Sequence, residues 1–127
     1  MRAARVTSLD SASYHYLGNV MPELSEIQPA ELKNRLAKGE KLLIVDVREP
    51  WEIAAASIAG TLNIPMGDIP SRLIELDPDR ETIVMCHHGI RSAQVATFLS
   101  RNGFEKVINL AGGIDAWSDI DPSIPRY

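Results

Sequence analysis

Cysteine occurs once in this chain of 127 residues, as Cys86. A lone thiol cannot close an intramolecular disulfide, which excludes a disulfide-stapled secreted scaffold and fits a reducing, cytoplasmic setting. No apolar stretch approaches the roughly 18 residues that a membrane span needs, and no continuous apolar segment opens the chain as a secretory signal would. Positive charge is also scarce. Lys and Arg number 13 against 17 Asp and Glu, a formal net charge of −4 whose field repels polyanions and sets nucleic acid aside as a partner. Sequence repeats and internal linkers are missing as well.

What is present suits one packed domain: 45% hydrophobic and 24% charged residues in a length that accommodates a single core. Residues 1–22 carry Arg2, Arg5 and several serines beside a single acid, Asp10, a faint likeness to an organelle transit peptide. They are read as an N-terminal extension, with Met21 as an alternative start, and residues 23–127 as the folded unit.

From Ile27 onward the punctuation is regular. Pro29 and Gly39 bracket a helix. Leu42 to Asp46 is a short, nearly continuous apolar run of the kind buried in a parallel sheet, and it ends on a carboxylate. A helix over Trp51 to Ala56, a strand over Thr61 to Pro65 and a further helix over about Ile69 to Leu76 follow. Thr82 to Met85 is a third strong strand, and it runs directly into Cys86-His87-His88-Gly89-Ile90-Arg91-Ser92. The helix expected from about Ser92 carries Val95, Ala96, Phe98 and Leu99 on one face and stops at Gly103. Val107 to Leu110 is a fourth strand, Gly112-Gly113 a tight loop that passes close to neighbouring backbone, and Ile114 to Trp117 a short helix. This alternation predicts an α/β domain of three layers, a mainly parallel central sheet with helices on both faces.

Ligand sites in such sheets form at the carboxyl ends of the strands, so Asp46 and Cys86 are expected to face one crevice. The loop after Cys86 has the makings of an anion cradle: backbone N–H groups curled inward, with the positive end of a helix behind them favouring thiolate over thiol. Gly89 supplies conformational freedom and Arg91 a permanent charge and planar donor fork. Ser92 reads as the helix N-cap, with contact to a bound anion as the alternative.

On these residues the chain resembles the rhodanese family of sulfurtransferases, single-domain type, over roughly Ile27 to Trp117. Four segments carry the likeness: Cys86 to Ser92, Asp46-Val47-Arg48-Glu49, Gly60-Thr61-Leu62-Asn63-Ile64-Pro65, and Gly112-Gly113-Ile114-Asp115-Ala116-Trp117. The resemblance implies Cys86 as nucleophile and persulfide carrier, with no metal or organic cofactor. It implies that His87, His88, Gly89, Ile90, Arg91 and Ser92 form the loop that binds an anionic donor, and that the Asp46 and Arg48 pair braces it. A small sulfur donor such as thiosulfate and a thiol or cyanide acceptor are the implied partners. A protein donor or acceptor, with Cys86 as a relay, is the alternative. The sequence is silent on oligomeric state. Ser57 stands where the family often has histidine, from which local repacking is expected.

A cysteine phosphatase or arsenate reductase shares the thiol and cradle. The related phosphatases place five residues between cysteine and arginine, whereas four stand here, a smaller cradle better matched to a persulfide sulfur. His87 and His88 invite a metal reading, but adjacent histidines converge poorly on one ion. They are read instead as setting the loop's shape and field, with protonation assisting the thiolate. Trp51 and Trp117 are read as core or edge packing.

Overall fold

A computed structural model describes residues 24–127. The expected extension over residues 1–22 lies outside the described residues. The elements are β1 (Ser25–Ile27), α1 (Pro29–Ala37), β2 (Leu43–Asp46), α2 (Pro50–Ala55), β3 (Leu62–Asn63), β4 (Thr82–Met85), α3 (Ile90–Arg101), β5 (Val107–Leu110) and α4 (Gly113–Ile120). The strands form one sheet in the order β1-β5-β4-β2-β3, and every pairing is parallel. This is the expected architecture, because continuous apolar strands joined by crossover helices can satisfy both faces only inside a layered sheet.

The period of two along each strand divides the core. Val45, Val84 and Val107 point to the face covered by α3, where they join Val95, Ala96 and Leu99. Ile44, Ile83, Met85 and Leu110 point to the other face, against Leu32 of α1 and Ile114 and Trp117 of α4. Cys86 continues the alternation of β4 onto the α3 face, in the same cluster as Val84. Asp46, two residues after Ile44 and opposite Met85 in the register, falls out of phase with it. The expectation that Asp46 and Cys86 face one crevice is therefore corrected: both end neighbouring strands, but the Asp46 carboxylate turns to Arg48.

Two further readings change. The helix expected over Ile69 to Leu76 is instead a turn over residues 69–72 and a single 3₁₀ turn, Leu73–Glu75, with another 3₁₀ turn, Met66–Asp68, just before it. Pro70 has no N–H to offer the preceding turn, and the segment is anchored by burial of Ile69 and Leu76 rather than by a continuous helix. The second change concerns α3, which begins at Ile90 and not near Ser92. Its N-cap is Gly89 at φ 100°, a left-handed conformation that costs a side chain 1–2 kcal/mol or so and glycine little.

No helix among the described residues is long and apolar enough to cross a membrane.

Candidate active site

The loop between β4 and α3 is four residues, Cys86 to Gly89, and its peptide groups are sorted by direction. The carbonyls of Cys86 and His87 accept from the amides of Ile114 and Asp115 at 2.9 and 3.0 Å, so they turn towards the first turn of α4. Amides turn the other way: Gly89 N–H donates to Cys86 Sγ at 3.0 Å and Ser92 N–H at 3.3 Å. Donors aimed at one sulfur from a helix start favour negative charge there. The close approach of α4 depends on Gly113, at φ 60°, where a Cβ would collide with the carbonyls of Cys86 and His87.

Ser92 is not the N-cap. It lies in the first turn of α3, fully buried, with its hydroxyl 3.3 Å from Cys86 Sγ and 2.5 Å from Asn109 Oδ1. Asn109 reaches this point because the β5 alternation puts it on the α3 face with Val107, and its amide also donates to the Gly89 carbonyl at 3.2 Å. A polar residue in a buried strand is the signal that would have marked it.

Arg91 is already engaged. Its Nη1 and Nη2 donate to the two oxygens of Glu52 at 2.7 and 2.8 Å. Glu52, buried on α2, also accepts from the Glu49 amide and the Tyr127 hydroxyl, at 3.0 and 2.8 Å. The Arg91 guanidinium, offset in part by burial, holds the Glu52 carboxyl at about 2 against an ordinary 4.5, and Glu52 in turn raises Arg91. The fork is thus fixed beside the cradle rather than free at its mouth.

Arg48 and Asp46 are fully buried and joined by Nε to Oδ1 at 3.0 Å and Nη2 to Oδ2 at 2.7 Å. The remaining guanidinium N–H groups go to the Ala56 and Glu52 carbonyls and to the Tyr127 hydroxyl. Every donor of a fully buried cation has an acceptor, which is what makes its burial tolerable. Burial lowers the Arg48 pKa, but Asp46 and Tyr127 outweigh it and the net shift is upward. Asn63 on β3 donates to the Asp46 and Arg48 carbonyls and holds the same turn.

His87 and His88 stack on each other at 3.9 Å, and His87 stacks on Tyr127 at 4.1 Å. Burial, then the neighbouring His88, lowers the His87 pKa below 6.5, which favours the neutral ring. Donor atoms of His87, His88 and Asp115 do come within 4.8 Å of one another. Asp115, however, is already paired with Arg126 at 2.9 Å.

Cys86 is only 1% exposed, deeper than a reactive thiol is expected to lie. Ile90, counted in the loop from sequence, is 71% exposed and makes the outer rim. Of the two tryptophans read as core or edge packing, Trp117 is core, whereas Trp51 is 67% exposed and set edge-on to Tyr127. Ser57 is exposed and outside the cradle. Sequence reasoning missed Glu52, Asn109 and Tyr127. Tyr127, far from the loop in the chain, has no local signal.

The rhodanese-like domain model matches residues 28–120. The chain belongs to the rhodanese-like family. A sulfurtransferase of Allochromatium vinosum is 42% identical over 95 residues, covering 75% of this chain and 89% of its own length. The rhodanese-like domain protein of Staphylococcus aureus superposes with a TM-score of 0.73 at 34% identity, over 82% of this chain and 99% of that one. A rhodanese-related protein of Thermoplasma volcanium gives 0.70 at 33% identity, over 76% and 93%. The Cys86–Ser92 loop, the Asp46–Arg48 turn and the Gly112-Gly113 turn all lie inside the family match.

Proposed function

We propose that this rhodanese-like domain is a sulfurtransferase that carries sulfane sulfur as a persulfide on Cys86. The single observation that carries the reading is the cradle: two backbone amides and one hydroxyl converge on Cys86 Sγ. The Cys86 thiolate attacks the outer sulfur of thiosulfate. A new S–S bond forms, the donor's S–S bond breaks, and sulfite departs with that electron pair. Cyanide or a thiolate then takes the outer sulfur and returns the thiolate. No external oxidant or reductant enters the balance.

The outer sulfur of the persulfide, bonded at about 2.05 Å to the buried Sγ, is the atom the loop amides would hold. Arg91 supports the anionic donor as a fixed positive charge, with Glu52 holding its fork in place. Four residues between Cys86 and Arg91 leave a tighter loop than cysteine phosphatases have, which disfavours phosphoryl transfer.

A second reading has its own observation. Exposed Ile90 at the start of α3 and exposed Trp51 against Tyr127 offer apolar area, as suits a protein donor or acceptor that hands sulfur on directly. Thiocyanate release from thiosulfate and cyanide tests the first reading. Turnover in the native chain that vanishes in Cys86→Ser supports it. Slow turnover with thiosulfate, beside fast loading from a cysteine desulfurase, supports the relay; turnover retained by Cys86→Ser overturns both.

A further inference from the structure

The Tyr127 side chain adds a side-chain link between two ion pairs. Its hydroxyl accepts from Arg48 Nη1 at 2.8 Å and donates to Glu52 Oε2 at 2.8 Å. One oxygen thereby joins two ion pairs, Asp46–Arg48 at the end of β2 and Glu52–Arg91 between α2 and α3. The ring lies parallel to His87 within 11° at 4.1 Å, and His88 lies against His87 at 3.9 Å. Two rings cannot share one face of a third at such distances, so His87 is sandwiched between Tyr127 and His88. Trp51 meets the Tyr127 ring edge-on at 6.1 Å.

The segment that presents Tyr127 is itself fastened. Asp121 accepts from the Ser123 amide and hydroxyl, and Arg126 pairs with Asp115 and Asp119. Ile124 and Tyr127 rest on the core cluster of the α1–α4 face. The ring is therefore held at both ends, by its backbone and by its hydroxyl.

We infer that Tyr127 is a positioning residue for the sulfur-carrying loop: anchored by Arg48 and Glu52, its ring clamps His87 and with it the peptide that follows Cys86. The His87 carbonyl is fixed by α4 on one side, and the imidazole by Tyr127 on the other. Clamping at both points holds the turn that aims the Gly89 amide at the sulfur. The charged and titratable groups around His87 are His88 and Asp115 on the α4 side, and Arg48 and Glu52 beneath Tyr127. The catalytic consequence rests on the function proposed above; the clamp itself does not.

The test compares Tyr127→Phe, which keeps the ring and loses the anchor, with Tyr127→Ala, which loses both. Three readouts are taken: the His87 ring titration by NMR, the rate of Cys86 alkylation by iodoacetamide, and sulfur loading from thiosulfate. In Tyr127→Ala the His87 titration moves up toward 6.5 as the ring gains water, and alkylation and loading rates change about tenfold from native, the scale of a lost positioning contact. Tyr127→Phe, which keeps the stacking plane but loses the bonds to Arg48 and Glu52, falls between native and Ala in the titration and in both rates. Should Tyr127→Ala fail to fold, Tyr127→Leu, similar in volume but without a stacking plane, is expected to behave as Ala would. Native titration and native rates in a folded Ala or Leu variant would overturn the clamp, and so would equal damage by Phe and Ala. If the native chain takes no sulfur from thiosulfate, the proposed function fails, while titration and alkylation still decide the role of Tyr127.

Discussion

Glu52 is the residue on which the charges around the cradle converge, with donors from Arg91, Glu49 and Tyr127 filling its oxygens. Its pKa of about 2 against an ordinary 4.5 has a defined consequence for stability. A carboxyl depressed in the folded state contributes fully above its unfolded pKa, and that contribution is lost as pH falls through the folded value. Between pH 4.5 and 2 the native protein should therefore lose roughly 3 kcal/mol through this group. Urea unfolding across that range checks it: Glu52→Gln starts less stable at pH 7 and shows a flatter dependence, whereas a native slope in the variant would contradict the assignment. Arg48 poses a different problem, as a fully buried cation whose partner cannot be removed cheaply. Asp46→Ala leaves it uncompensated and is expected to cost about 3–5 kcal/mol in the same assay, far more than breaking the exposed, solvent-screened Arg72–Glu75 pair.

At the scale of elements, the cradle depends on where α4 starts. Gly113→Ala would drive a methyl into the carbonyls of Cys86 and His87, so it is expected to displace the loop. Gly60, at φ 84° with open space around its Cβ position, supplies the control. Gly60→Ala should cost only about 1–2 kcal/mol in thermal unfolding and leave Cys86 alkylation at the native rate, while Gly113→Ala alters alkylation even where the chain still folds. The elements themselves were largely legible beforehand. Continuous apolar runs ending at Asp46 and Met85, Pro29 at a helix start and Gly103 past a helix end each state a local preference that the packing respects. The 3₁₀ turns around Pro70 were not legible, because periodic apolar residues there mark burial and not helix. Nor was the start of α3: a serine in the first turn reads as a cap, and only the inward position of its side chain reveals that it faces sulfur. Cys86, Gly89 and Gly113 could be found because local geometry demands them. Glu52 and Tyr127 could not, since their importance comes from partners that only the fold brings near.

For the whole molecule, one parallel sheet divides two apolar clusters, one beneath α3 and one beneath α1 and α4. Leu99 and Leu110, both fully buried, belong to different clusters. Leu99→Ala and Leu110→Ala should each cost about 2–5 kcal/mol, and the double variant should come within roughly 0.5 kcal/mol of their sum, as independent sites do. A single cooperative transition in calorimetry is expected for all three, because both clusters rest on the same strands. The sheet also sets the chemistry: β4 delivers Cys86 to the carboxyl edge, α3 brings its amides, and α4 turns the loop's carbonyls aside. That arrangement has one direct test, the intact mass of the reduced protein after incubation with thiosulfate and desalting. The account predicts a gain of a single sulfur atom that cyanide removes as thiocyanate and that Cys86→Ser never acquires. A native mass left unchanged by thiosulfate, or the same gain in Cys86→Ser, would contradict it.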